Sequence, residues 1–208
     1  QSLRFNDDDG SYLSRTPSSA GNRKTWTYSG WVKRGNIGAG ANKVILGCGT
    51  SGTTSSYDAF RFGTDDTLLF LGADAANSLL ITTQVFRDTS AWYHIILAVD
   101  TTQATASNRM KMYVNGAQVT AFGTATYPAL NSDTNINSAI GHQVGARQST
   151  GSVIEYYDGY MGEVNLIDGL ALTPDSFGET GDYGEWKPIK YAGTYGTNGF
   201  YLKFENAS

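Results

Sequence analysis

The chain of 208 residues contains one cysteine, Cys48, so it forms no intrachain disulfide. A zinc site built on cysteine is also excluded, because Cys48, His94 and His142 are too few soft ligands for one. Charge is scarce, at 16% of residues, where about a quarter is usual. The 15 basic residues do not outnumber the 19 acidic ones, and a net charge of −4 gives no basic footprint for nucleic acid. No apolar run approaches the ~18 residues of a membrane span, so no membrane insertion is expected. Only 4 prolines interrupt the chain. No secretory leader is legible. A chain that opens on Gln1 is read as processed, or as one segment of a longer protein.

What is abundant is glycine, with 25 residues, and tyrosine, with 13. That composition belongs to a turn-rich β protein rather than to a disordered chain. The hydrophobic pattern is strand-like almost throughout. From Thr25, Trp26, Tyr28 and Gly30 fall on one face, with Thr25, Thr27 and Ser29 on the other. Short strands are expected at Val44–Leu46, Ala59–Phe62, Leu68–Leu71, Leu79–Thr83, Met161–Ile167 and Gly199–Phe204. Trp92–Val99 is apolar on both faces, which predicts a strand covered on both sides in the middle of a sheet. Asn115-Gly116 between two alternating runs predicts a tight hairpin. Thr173-Pro174-Asp175 opens the one short helical turn, near 173–178. Ser18–Arg23, Gly35–Asn42, Gly49–Ser56, Ala104–Asn108, Asn131–Ser138 and Arg147–Ser152 read as loops. None is a linker, so residues 1–208 are expected to form a single domain. The fold class that follows is all-β: a two-sheet antiparallel sandwich of a dozen or more strands.

Three segments in this order carry a family likeness. They are Tyr28-Ser29-Gly30-Trp31-Val32-Lys33; Trp92-Tyr93-His94 followed by Tyr113-Val114-Asn115-Gly116; and Gly159-Tyr160-Met161-Gly162-Glu163-Val164 running into Leu170–Thr173. The chain resembles the concanavalin A-like jelly rolls of laminin-G and pentraxin type. Its opening, Ser2–Asp9 through Tyr12–Pro17, is similar to laminin-G-like proteins of tailed bacteriophages and large DNA viruses. So are its closing stretches, Gly184–Pro188 and Tyr195–Leu202. The resemblance implies a non-enzymatic virion structural module, in a tail fibre, spike or capsid decoration. Its implied partners are other virion proteins, copies of itself and a host-surface glycan. The alternative is a secreted carbohydrate-binding lectin, and a glycoside hydrolase is the third reading.

The residues bear on each reading. Glycoside hydrolysis needs two carboxylates across the scissile bond. Glu163 has no acidic neighbour two residues on, and Asp168 falls in a turn. His94, within the most apolar strand on the face of Trp92, Ile96 and Ala98, is expected to be a core histidine. No Gly-x-Ser-x-Gly elbow accompanies His142. Asn6–Gly10 bunches three acids but lacks the ordered ladder of a calcium loop. Asp7 and Asp9 are therefore only weak candidates for calcium, and no cofactor is predicted. Trp26, Trp31 and Trp92 are expected in the core, and Trp186 against a neighbouring domain. The strongest glycan-binding candidates are Tyr156, Tyr157, Asp158 and Tyr160, with Tyr57 and Arg147 nearby, because tyrosine offers an apolar ring with a polar tip.

Overall fold

A computed structural model describes residues 1–38, 40–50, 57–72 and 78–205. Among them, in chain order, lie strands β1 (Ser2–Phe5), β2 (Leu13–Arg15), β3 (Thr25–Arg34), β4 (Lys43–Gly49), β5 (Tyr57–Phe62), β6 (Thr67–Gly72), β7 (Ser78–Val85), β8 (Tyr93–Asp100) and β9 (Met110–Val114). They continue with β10 (Ala117–Gln118), β11 (Phe122–Thr126), β12 (His142–Val144), β13 (Arg147–Ser149), β14 (Ser152–Ile154), β15 (Gly159–Asp168), β16 (Gly178–Thr180), β17 (Trp186–Pro188) and β18 (Phe200–Leu202). The helical content among these residues is two 3₁₀ turns, Ala106–Asn108 and Pro174–Ser176. The second is the turn expected near 173–178.

Two seven-stranded antiparallel sheets face each other as a jelly-roll sandwich. The first runs β1-β15-β3-β8-β9-β10, with β18 beside β15, and the second runs β11-β7-β6-β5-β4-β12-β2. Their inner faces meet in one core, which includes Trp26, Tyr28, Val32, Phe60, Phe62, Phe70, Leu80 and Leu97. Trp26 meets Phe70, and Tyr28 meets Phe60, edge to face with ring centres 6.0 and 5.7 Å apart. β8 lies between β3 and β9, as its two apolar faces require. Its outer residues Ile96 and Ala98 form a second cluster with Tyr113, Ile167 and Phe177, covered by Leu172, Tyr191 and Tyr195 of the C-terminal stretch.

The hairpin at Asn115-Gly116 forms with φ of 48° and 83°, the double positive that its tight turn needs. Trp186 lies on this turn, and a Cβ on Gly116 would come within 2.8 Å of its indole ring. Trp186 therefore packs on its own domain, within β17 rather than a loop. Trp26 is fully buried. Trp31 is only half-buried, and Trp92, which precedes β8 and does not share its inner packing, is 37% exposed.

The loop expected at Arg147–Ser152 is instead the hairpin β13–β14. Its strands are three residues long and polar, too short for alternation to register. It lies over β4 at Gly47, where a Cβ would meet the Ala146 carbonyl at 2.5 Å. The loop at Asn131–Ser138 exists, but Thr134 to Ser138 are buried. Their polar groups are met from within. Asp58 accepts the Asn135 and Ile136 N–H groups at 2.6 and 3.2 Å. Asp168 accepts from Asn22 N–H, Asn198 N–H and the Asn137 amide. Of the loop at Gly49–Ser56, residues 51–56 lie outside the described residues.

Candidate functional site

The structure divides the tyrosine cluster among three environments. Tyr157 is fully buried, edge-on to Phe5 at 6.2 Å, and its hydroxyl donates to the Lys33 carbonyl at 3.1 Å. It is a core residue and presents no ring to a ligand. Asp158 is also buried and takes the Arg4 guanidinium at 2.7 Å. Burial pushes its pKa above the usual carboxylate value despite that arginine. Tyr160 points the other way, onto the outer face of the first sheet, where the Arg4 guanidinium sits 5.3 Å from its ring centre. Arg4 thus joins Asp158 and Tyr160, while Tyr157 turns inward to the core.

Tyr57 and Arg147 do meet, on the outer face of the second sheet, with the guanidinium 4.0 Å from the ring centre. Arg147 is nevertheless occupied. Its Nε and Nη2 donate to the Glu155 carboxylate at 2.7 and 3.1 Å, and Arg61 reaches the same carboxylate at 2.7 Å. Burial alone would raise the Glu155 pKa. The Arg147 hydrogen bond, the Arg61 charge and the Asn42 amide reverse that, and the pKa lies below its usual value. Tyr156 is half-buried. Its ring leans on Tyr12 with centres 6.1 Å apart, and its hydroxyl donates to the Val153 carbonyl at 2.9 Å.

Tyr12 leads to a groove that the tyrosine cluster alone does not reveal. β2 is the last strand of the second sheet, and its alternation sends Tyr12, Ser14 and Thr16 to the outer side. Ser14 pairs with Gln143 of β12, whose neighbours His142 and Val144 are buried. Tyr12, Ser14, Thr16 and Gln143, with Gln148 of β13, line an open groove of about 390 Å³. Tyr12 is 40% exposed beside it. Gln143 is 3% exposed, and its Oε1 accepts the Gln148 N–H at 3.2 Å. That bond fixes the amide orientation and directs Nε2 elsewhere. Among the described residues Nε2 donates to no protein group and opens onto the groove, and the side chains of Ser14, Thr16 and Gln148 have no hydrogen-bond partner. The signal in the sequence is the Tyr-x-Ser-x-Thr alternation at 12–16.

Neither histidine is free to act as a base. Trp186 Nε1–H donates to His94 Nδ1 at 2.9 Å, so the ring proton sits on Nε2 and points at Ser29 Oγ, 2.9 Å away. That tautomer cannot take the Ser29 proton, and Ser29 is fully buried. His94 is itself a core histidine, stacked on Trp31 with ring centres 5.1 Å apart, and burial lowers its pKa to about 4. His142 shows the opposite tautomer. Its Nε2 accepts the Asn137 N–H at 3.0 Å, so Nδ1–H donates to the Ile140 carbonyl at 2.8 Å. Its pKa is lowered, chiefly by burial.

Among the described residues no three His, Cys, Asp or Glu side chains come together as a metal site. Asp7 is ion-paired with Lys43, whose hydrogen bond holds its carboxyl below the usual range, and Asp9 accepts from Asn6 at 2.7 Å. Glu163 accepts a short hydrogen bond from the Tyr201 hydroxyl, whose pKa is raised by burial and by that bond. It has no carboxylate partner across a cleft, since Asp168 is consumed by the three donors above.

A family model described as the concanavalin A-like lectin/glucanases superfamily matches residues 7–176. No curated protein matches the chain in sequence. Among solved structures, the CBM40 of the Ruminococcus gnavus IT-sialidase bound to α2,3 sialyllactose is similar at 12% identity and a TM-score of 0.53, over 78% of this chain and 94% of that one. The K499G mutant of NanB sialidase from Streptococcus pneumoniae gives 16% and 0.57, over 86% of this chain and 28% of that one. The native heptameric SAP-like pentraxin from Limulus polyphemus gives 16% and 0.51, over 78% and 71%. At these identities the likeness is one of fold.

Proposed function

We propose a non-catalytic carbohydrate-binding role for this chain, which belongs to the concanavalin A-like lectin/glucanases superfamily. The observation that carries it is the Gln143 side chain, almost wholly buried yet lining the groove with an amide donor that no protein atom accepts. Open to the groove, that donor is free to meet a ligand hydroxyl in place of water. Around it Ser14, Thr16 and Gln148 supply further hydroxyl and amide groups, and Tyr12, backed by Tyr156, supplies a ring for the apolar face of a sugar. The similar CBM40 was solved with a sialylated sugar, which supports the ligand class. The described residues lining this groove include no Lys or Arg, so it favours neutral glycans over sialylated ones. They include no carboxylate either, which leaves a hydrolase without its acid pair there.

A glycan array of the purified domain, run with calcium and with chelator, tests the proposal. Neutral glycans bind equally under both conditions, and Tyr12→Ala or Gln143→Ala removes the share of the signal held by this groove. Tyr156→Ala weakens it by loosening Tyr12. A folded protein that binds no glycan refutes the reading. Display on a virion, among other virion proteins and copies of itself, is the finer form of the proposal. It rests on the resemblance of the opening and closing stretches, and multivalency would convert weak single sites into firm attachment. Recovery of the chain at fixed stoichiometry in purified particles tests it.

A further inference from the structure

On the outer face of the first sheet, three departures from ordinary sequence rules converge on one place. The first is Glu163. It sits in β15 where the register with β3 slips between Gly162 and Asn165, and its φ is 49°. A non-glycine residue in the left-handed region is strained, and a bulge of this kind re-aims a side chain. The second is Trp31, paired with Gly162 on one side and His94 on the other. Its indole N–H is enclosed without an acceptor, a cost that phenylalanine would avoid. The third is Trp92, a large indole left 37% exposed. Glu163, Trp31 and Trp92 line an open groove of about 300 Å³, together with Gln1, Ser2, Gly162 and Pro188.

Such rule-breaking is retained where function uses it. The side chains on this groove are those that hold a sugar: indole surface for its C–H face, and a carboxylate to accept its hydroxyls. The carboxylate is already oriented, because the Tyr201 hydroxyl donates to Glu163 Oε2. Among the described residues its other oxygen accepts from no protein group. A negatively charged sugar would be repelled. We infer that the Trp31–Trp92–Glu163 groove is a second carbohydrate site, on the opposite sheet from the Tyr12 groove, that takes a neutral pyranose. The two sites share no residue. The second site stands or falls independently of the first.

The test is ¹⁹F NMR of the full chain labelled with 5-fluorotryptophan, titrated with methyl β-galactoside, methyl β-glucoside and, separately, the methyl glycoside of N-acetylneuraminic acid. The four tryptophan signals are assigned by single Trp→Phe variants. Saturable shifts of the Trp92 and Trp31 signals with a neutral sugar, while core Trp26 stays fixed, are expected. Glu163→Gln, whose amide oxygen still accepts from Tyr201, weakens binding about tenfold. Trp92→Ala abolishes it as read at Trp31, and Tyr12→Ala leaves it unchanged. The unmoved Trp26 signal and unchanged thermal midpoint show that each variant is folded. The inference is overturned by Trp92 and Trp31 signals that do not move with either neutral sugar, by equal affinity in Glu163→Gln, or by equal shifts with the acidic glycoside. Loss of the Trp92 response in Tyr12→Ala would overturn it too, by assigning the binding to the first groove.

Discussion

Mild acid should destabilise the domain through His94, and the size of the effect follows from its hydrogen bonds. The indole of Trp186 can only donate, so His94 Nδ1 must be unprotonated to accept it. A second ring proton would set N–H against N–H, in a site where burial already lowers the pKa from 6.5 to about 4. The unfolded chain, with its ordinary imidazole, therefore binds a proton between those values that the folded chain refuses. Stability consequently rises with pH across this window: it is complete above 6.5, is lost as pH falls toward 4, and this group takes nothing further below. Between pH 7 and 5 the loss is about 2 kcal/mol. That corresponds to a fall in thermal midpoint of about 4–8 °C for a domain of this size. His142 titrates in the same direction, so the assay is a comparison: thermal midpoints of wild type and His94→Asn from pH 7 to 5, where most carboxylates keep their charge. The variant should be less stable at pH 7 and show a shallower slope. Equal slopes in the two proteins would refute the tautomer argument.

Four further substitutions test the packing and the first groove. Glu155→Gln leaves Arg61 and Arg147 without their shared carboxylate and should cost about 3 kcal/mol in urea unfolding. In the wild type this contribution holds above the usual pKa of 4.5 and is lost as pH falls toward the depressed folded value. Gly116→Ala must adopt φ of 83° and displace the Trp186 ring, and should cost about 2–3 kcal/mol, read as a lower thermal midpoint. Tyr157→Ala should cost about 3–5 kcal/mol by opening the core beside Phe5. Tyr12→Ala should leave the midpoint within about 0.5 kcal/mol of wild type while losing glycan binding at the first groove.

The sandwich was legible because its long strands bury one or both faces, and alternation or an unbroken apolar run records that directly. β3 and β8 are the clearest cases, and Asn115-Gly116 announces its turn by backbone chemistry alone. The short strands β2, β12, β13, β14, β16 and β17 were not legible. Three residues hold at most two side chains on one face, which is no period at all. The first groove is built on three of these strands, so the fold was readable where the principal site was not. The polar interior of Thr134–Ser138 was hidden for a related reason. Its donors are satisfied by Asp58 and Asp168, which are 77 and 31 residues away from the groups they bind.

The tyrosines show how far composition carries a site. Sequence proximity gathers Tyr156, Tyr157 and Tyr160, but the chain turns between them at Gly159, whose φ of 139° lets its backbone approach Lys33 so closely that a Cβ would lie 2.0 Å from the Lys33 carbonyl. One ring then supports Tyr12, the second fills the core and the third crosses to the other sheet. The ring that faces the first groove, Tyr12, comes from a strand 144 residues earlier than Tyr156, its support. What recruits it is the pairing of β2 with β12, which sets Ser14 against Gln143 and leaves the Gln143 amide donor facing the groove. The proposed sugar-binding surface is thus assembled across the sheet, by register, from polar residues that are unremarked singly along the chain. A Tyr12→Ala variant that bound glycans as wild type does, while Gln143→Ala lost that binding, would show that the amide rather than the ring holds the ligand.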